Sequence, residues 1–236
     1  MFRQFSRNPY VIALMFSIMV SMISCSTADK ENIDNADPDN IYFDYKVTAA
    51  EGDDNLTVML QYMDGEGGDA FAVEDPGQVM LDGEQIAADS TKMSGFFYEL
   101  HKPIAAFAGK HSISFTDVHG KEYKEEFDFK PIVLLTQMAD TAKRDDLIFE
   151  FAGLEPEDFV RVLLTDTSYI NEGINEVYKV LNGRLAIKKT ALETLANGPV
   201  QLEFIREYER PVKNGTQEGG RLLITYSLKR DFFLKD

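Results

Sequence analysis

Apolar side chains in this chain recur at every second position in short runs, a period that leaves stacked β-sheets as the fold it can build. Leu56, Val58, Leu60 and Tyr62 alternate with Thr57, Met59 and Gln61, and Ile113 and Phe115 alternate with Ser112, Ser114 and Thr116. Tyr123, Phe127 and Phe129 stand opposite Glu122, Lys124, Glu126 and Asp128. The pattern returns in Leu147, Phe149 and Phe151, in Val160, Val162 and Leu164, in Val200, Leu202 and Phe204, and in Leu222, Ile224, Tyr226 and Leu228. Between runs lie turn dipeptides. Asp82-Gly83 separates Val79-Met80-Leu81 from Gln85-Ile86, and Asn182-Gly183 separates Val180-Leu181 from Leu185-Ala186-Ile187, the chemistry of tight hairpin turns. Asp117 to Gly120 turns another hairpin. A turn or two of helix is predicted over Thr190 to Ala196, stopped by Asn197-Gly198.

Strands at about 8 to 12 residue spacing without a long helical period predict an all-β chain of sandwiches. Pro131 punctuates the series, after which the pattern restarts, so two β-sandwich domains are expected, 41–131 and 132–236. Two internal likenesses suggest a duplicated unit. The two strand, turn and strand arrangements lie about 100 residues apart, and Phe107-Ala108-Gly109 precedes Ile113-Ser114-Phe115 much as Leu195-Ala196-Asn197-Gly198 precedes Leu202-Glu203-Phe204. Both modules resemble immunoglobulin-like sandwiches, without the cysteine pair and tryptophan of antibody domains, since the chain has one cysteine and no tryptophan.

Ahead of the strands, Met1 to Pro9 carries Arg3 and Arg7 and no acid, and Tyr10 to Ile23 is apolar except for Ser17 and Ser21. These are the basic and apolar regions of a secretory leader. The apolar run reaches about 21 Å as a helix, short of the roughly 30 Å hydrocarbon core, and its downstream flank is acidic where a membrane anchor would be basic. Met22-Ile23-Ser24-Cys25 resembles the lipobox of bacterial lipoproteins, with Met22 in place of the usual leucine. That resemblance implies a signal peptide over 1–24, cleaved before Cys25, and a diacylglyceryl group on the Cys25 thiol, with acylation of the new amino terminus. Membrane attachment through lipid on Cys25 follows from it, in the outer membrane of a Gram-negative envelope. A lone cysteine in a secreted chain of this length has no intramolecular disulfide to make. Residues 25–40 read as an acidic flexible stalk, with Asp29, Glu31, Asp34, Asp37 and Asp39 against Lys30. Acids soon after the cysteine also resemble the export signal of surface-displayed lipoproteins, which favours an outward-facing over a periplasm-facing body.

Charge excludes some partners. Residues 1–24 hold two of the basic residues and none of the acids, so their removal takes the formal charge from −16 to −18. Nucleic acid is disfavoured by that repulsion. The motifs of serine hydrolases, zinc helices and phosphate loops are absent, so no catalytic residue, cofactor site or metal site is assigned. Three weaker signals remain. Of the three histidines, His101, His111 and His119, a hairpin could bring the last two into one neighbourhood; Gly65-Glu66-Gly67-Gly68-Asp69-Ala70 has dinucleotide-loop spacing without a βαβ context; and the Asp64 to Asp69 loop, with Asp53 and Asp54, carries oxygens of the type calcium takes. Phe96-Phe97-Tyr98 and Phe232-Phe233 break alternation and are expected to expose one ring each. The reading at this level is a non-enzymatic, lipid-anchored interaction or accessory module with an envelope protein or a surface glycan as partner; the alternative is a glycan-binding accessory lipoprotein of a nutrient-uptake system. A contiguous exposed aromatic strip would favour the glycan.

Overall fold

The structure, a computed structural model, describes residues 38–167 and 173–236; Cys25, the leader and the stalk up to Asp37 lie outside the described residues. Where the stalk was expected to run to Asn40, Pro38–Asn40 is instead a 3-10 turn leading into the first strand.

Eight strands build a first sandwich. They are β1 (Ile41–Ala50), β2 (Asn55–Asp64), β3 (Gln78–Leu81), β4 (Glu84–Gln85), β5 (Ala88–Thr91), β6 (Gly95–Pro103), β7 (Gly109–Thr116) and β8 (Glu122–Phe129). One layer has the order β1-β2-β6-β5 and the other β4-β3-β7-β8, which is the ABED and C′CFG division of an immunoglobulin-like sandwich. Period-two alternation sends aromatic rings into the space between the layers. Phe43 lies 5.5 Å from both Phe115 and Tyr123, and Tyr62 stacks on Phe115 at 4.5 Å. Burial pushes the Tyr45 and Tyr62 hydroxyls well above the ordinary tyrosine value.

The second sandwich comprises β9 (Val133–Leu134), β10 (Thr141–Lys143), β11 (Leu147–Ala152), β12 (Phe159–Asp166), β13 (Ile174–Lys179), β14 (Arg184–Ile187), β15 (Gly198–Pro211) and β16 (Gly220–Lys235). A short helix, α1 (Lys189–Leu192), begins one residue before the predicted helical stretch and covers only its first turn. Here β14-β11-β9 forms one layer and β13-β12-β15-β16 the other, with β10 parallel to the end of β16. Phe204 on β15 is gripped by Phe149 and Phe151 from β11, at 4.8 and 5.0 Å.

The two bodies are joined by more than a linker. β15 and β16 are 14 and 16 residues long, and the first half of β16 leaves its own body to pair in parallel with β1 from Phe43↔Gly220 to Ala50↔Ser227. The ABED layer of the first body and the FG layer of the second are therefore one nine-stranded sheet. The division expected at 131/132 is crossed by the C-terminal hairpin, and Leu222, Ile224 and Tyr226 of β16 are buried in the common core. The described residues all belong to one compact unit.

Both predicted turn dipeptides adopt positive φ at both positions, 52° and 82° at Asp82-Gly83 and 51° and 78° at Asn182-Gly183, the type I′ geometry that asparagine or aspartate followed by glycine favours. Their places in the fold differ. Asp82-Gly83 joins β3 to β4 within one layer, whereas Asn182-Gly183 carries the chain from β13 to β14 in the opposite layer. This first likeness is shared turn chemistry at unlike positions. The second is positional: Gly109 and Gly198 each open the strand that follows a short helical turn, Ile104–Ala106 in one body and α1 in the other.

Candidate functional site

β8 alternates strictly, and its inward positions are Tyr123, Glu125, Phe127 and Phe129. Glu125 is thus a carboxylate on the core side of a strand, and it is only 2% exposed. A buried charge needs a partner, and the partner comes from β15. Arg210 Nη1 lies 2.6 Å from Glu125 Oε1, and the Lys213 backbone N–H donates to Oε2 at 2.7 Å. Arg210 Nη2 also donates to the Glu126 carbonyl oxygen at 2.7 Å, and Asn214 Nδ2 to the Lys124 carbonyl oxygen at 2.9 Å. The tip of the C-terminal hairpin is therefore riveted to the free edge of β8.

Between the two outer layers this leaves a groove of about 620 Å³. Its floor is the middle of the long sheet, where the core-facing side of β15 changes from Leu202 and Phe204 to Arg206, Tyr208 and Arg210. Arg206 Nε is 2.8 Å from Asp158 Oδ2, and its guanidinium lies 5.7 Å from the Tyr208 ring centre. One wall is β7 and β8, presenting Lys110, His111, Lys124 and Phe127; Lys130 and Glu155 close one side and Lys213 another. Lys130 bridges Asp128 and Glu155 at 3.4 and 3.1 Å, and these carboxylates, Glu155 first, hold its ammonium above the ordinary lysine value. His111 stacks on Phe107 at 3.7 Å, its Nδ1 2.7 Å from Asp82 Oδ2 and its Nε2 2.8 Å from the Phe107 carbonyl oxygen. The Asp82 and His111 pair has the look of half a catalytic triad, but Nε2, the nitrogen a nucleophile would use, is bonded to the backbone.

The other sequence signals do not converge. His111 sits on β7 opposite Phe127 in register, while His119 lies in the turn beyond Thr116 at the strand's other end. His101 is an exposed residue of β6 near Glu99 and Thr57. Asp64 accepts a hydrogen bond from Asn40 at 2.6 Å, the 65–69 segment folds on itself through Gly68 N–H to Gly65 O, and Met63 pairs with Ala70. Asp53 and Asp54 stand at the opposite end of β2, a strand length of about 30 Å away. Among the described residues no group of three or more His, Cys, Asp or Glu side chains is gathered for a metal. The Gly65 to Ala70 stretch is a strand-to-strand connection with no helix to cap a phosphate.

Of the rings expected to be exposed, Phe233 is and Phe232 is buried, while Phe96 and Phe97 are half-buried and Tyr98 is buried with its hydroxyl accepting from Val73 N–H at 2.6 Å. Phe159, Tyr208 and Phe233 are the exposed rings among the described residues. Tyr208 faces the groove, and Phe159 and Phe233 occupy distant parts of the long sheet's outer side, so they form no strip. A different surface is apolar. On the outer side of β14-β11-β9, Val133, Leu135, Ile148 and Leu181 are 48, 57, 52 and 57% exposed. They surround the Glu150 and Arg184 ion pair, which is 3.0 Å long.

Sequence reading missed Glu125, Arg206, Tyr208, Arg210 and Lys213. The signal for them was present in Arg206-Glu207-Tyr208-Glu209-Arg210, a run that keeps the strand period in charge after the apolar period ends.

No known protein family matches the chain, and no curated protein matches it. Solved structures do. A tetra-tandem repeat from the extending region of a large adhesion protein aligns with 80% of this chain and 49% of its own, at 13% identity and a TM-score of 0.27, so the chain spans about half that length. The first two immunoglobulin domains of DIP-gamma align over 80% of this chain and 97% of theirs, at 11% identity and a TM-score of 0.23. A Yersinia pseudotuberculosis adhesin aligns over 79% and 60%, at 14% identity and a TM-score of 0.21. At such low TM-scores none of these likenesses bears on what the chain does.

Proposed function

We propose that this chain is a non-enzymatic, lipid-anchored protein-interaction module of a Gram-negative envelope, held in the outer membrane through Cys25. The observation that carries the protein-binding reading is the apolar surface of Val133, Leu135, Ile148 and Leu181 around the Glu150 and Arg184 pair. Clustered exposed aliphatic residues with a polar centre suit a protein surface, and a glycan would call for a platform of rings. The lipobox resemblance at Met22-Ile23-Ser24-Cys25 supports the anchor.

Photo-crosslinking from positions 135 and 148 in intact cells, followed by identification of the captured species, tests the partner. A protein adduct dependent on those positions is expected; polysaccharide alone would overturn the reading. For the anchor, Cys25→Ala releases the chain to soluble fractions or leaves the precursor uncut, and an unchanged membrane-bound mature form would refute it.

A further inference from the structure

We propose that the groove between the two bodies binds a small anion bearing phosphate or carboxylate groups, independently of the partner at the aliphatic surface. Three observations converge on it. The first is charge. Six cationic side chains against four carboxylates, Asp82, Glu126, Asp128 and Glu155, line the groove, a positive excess in a chain whose net charge is −16. Arg206, Arg210, Lys124 and Lys130 have carboxylates within 4.0 Å, whereas among the described residues Lys110 and Lys213 have none. These two ammonium groups stand on different elements of the groove, β7 and the hairpin tip.

The second is the β8 edge. Asp82 N–H bonds to the Ser112 carbonyl oxygen toward β3, so alternation turns the backbone groups of His111 and Ile113 toward β8 and those of Lys124, Glu126 and Asp128 toward the groove. Arg210 and Asn214 occupy the Glu126 and Lys124 carbonyl oxygens. An added peptide strand needs both donors and acceptors along an edge, and here two of the three outward carbonyl oxygens, those of Lys124 and Glu126, are taken, while among the described residues no acceptor is bonded to the outward N–H groups. What fits is a ligand that supplies acceptors only, which is the hydrogen-bonding character of a phosphate or carboxylate. Third, the volume of about 620 Å³ suits a small molecule, and Tyr208, 41% exposed on the floor, offers a ring for its apolar part.

The test is titration of the full-length chain, purified in detergent at low salt, with sodium tripolyphosphate and separately with citrate. Binding is followed by calorimetry and by tyrosine fluorescence, since the chain has no tryptophan. Saturable binding of at least one probe is expected, weakening as salt is raised. Lys110→Gln with Lys213→Gln should weaken it tenfold or more without lowering the melting temperature, and Tyr208→Phe should retain it. The preferred probe separates phosphate from carboxylate recognition. Absence of saturable binding for both probes at millimolar concentration overturns the proposal. So does equal weakening by Lys92→Gln with Lys143→Gln, exposed lysines in the turn after β5 and on β10 that do not line the groove.

Discussion

Arg210 on β15 and Glu125 on β8 meet at 2.6 Å, 85 positions apart in sequence, and the carboxylate is almost fully buried. The pair fastens the C-terminal hairpin to a strand of the other body. Removing Arg210 alone leaves a buried carboxylate without its cation, so Arg210→Met is expected to cost about 3–5 kcal/mol. Replacing both partners, Glu125→Leu with Arg210→Met, should recover most of that. Urea unfolding of the three proteins measures it; a double variant no more stable than the single one would count against the pairing.

Parallel pairing of β16 with β1 depends on close approach at Gly220. A Cβ there would lie 2.4 Å from the Phe43 carbonyl oxygen and 2.9 Å from the Phe43 nitrogen. Gly220→Ala must push the strands apart, and Leu222→Ala, at a fully buried position, should cost about 2–5 kcal/mol. Amide hydrogen exchange should show both changes loosening β1 and β2, in the first body, although the substitutions are in the last strand.

Acid should weaken the same joint. Burial pushes the Asp44 carboxyl up, but hydrogen bonds from Arg221, at 2.8 Å, and from Lys46 outweigh it and hold the group below the usual carboxylate value. A folded-state value below the unfolded one means that the stabilisation is fully present above about pH 4 and is lost as pH falls through the depressed value. Asp44→Asn should therefore flatten the fall of urea midpoint with acidification below about pH 4, while lowering the midpoint at neutral pH.

Alkali acts on the aromatic core. Tyr45 and Tyr62 have values raised by burial, so the folded state keeps their protons. Their contribution is present below the ordinary tyrosine value near about pH 10 and is lost as pH rises through the folded values. Absorbance of tyrosinate should rise in two stages, the exposed residues first and the buried ones together with cooperative unfolding.

The aliphatic surface is expected to be dispensable for folding. Ile148→Lys and Leu135→Lys, at exposed positions, should change stability by no more than about 0.5 kcal/mol while reducing the protein adduct expected in the photo-crosslinking experiment.

Much of the architecture was legible because it is local. Alternation named the buried side chains of β2, β7, β12 and β16, and Asp82-Gly83 and Asn182-Gly183 named their turns. What escaped was long-range. The expected strand ended at Phe204 because the apolar period ends there, yet β15 continues to Pro211 on a period of charge. Glu125 broke the inward pattern of β8, and nothing nearby in sequence supplies its cation. The groove is formed where these two exceptions meet, so neither run shows it by itself.

Because β16, which follows every strand of the first body in sequence, pairs with β1, the order of synthesis and the order of completion run in opposite directions. Sequence up to Phe129 leaves the ribosome with an open β1 edge and an unneutralised Glu125, and both wait until residues 198–227 follow. A truncation within β16 would therefore damage the half made first.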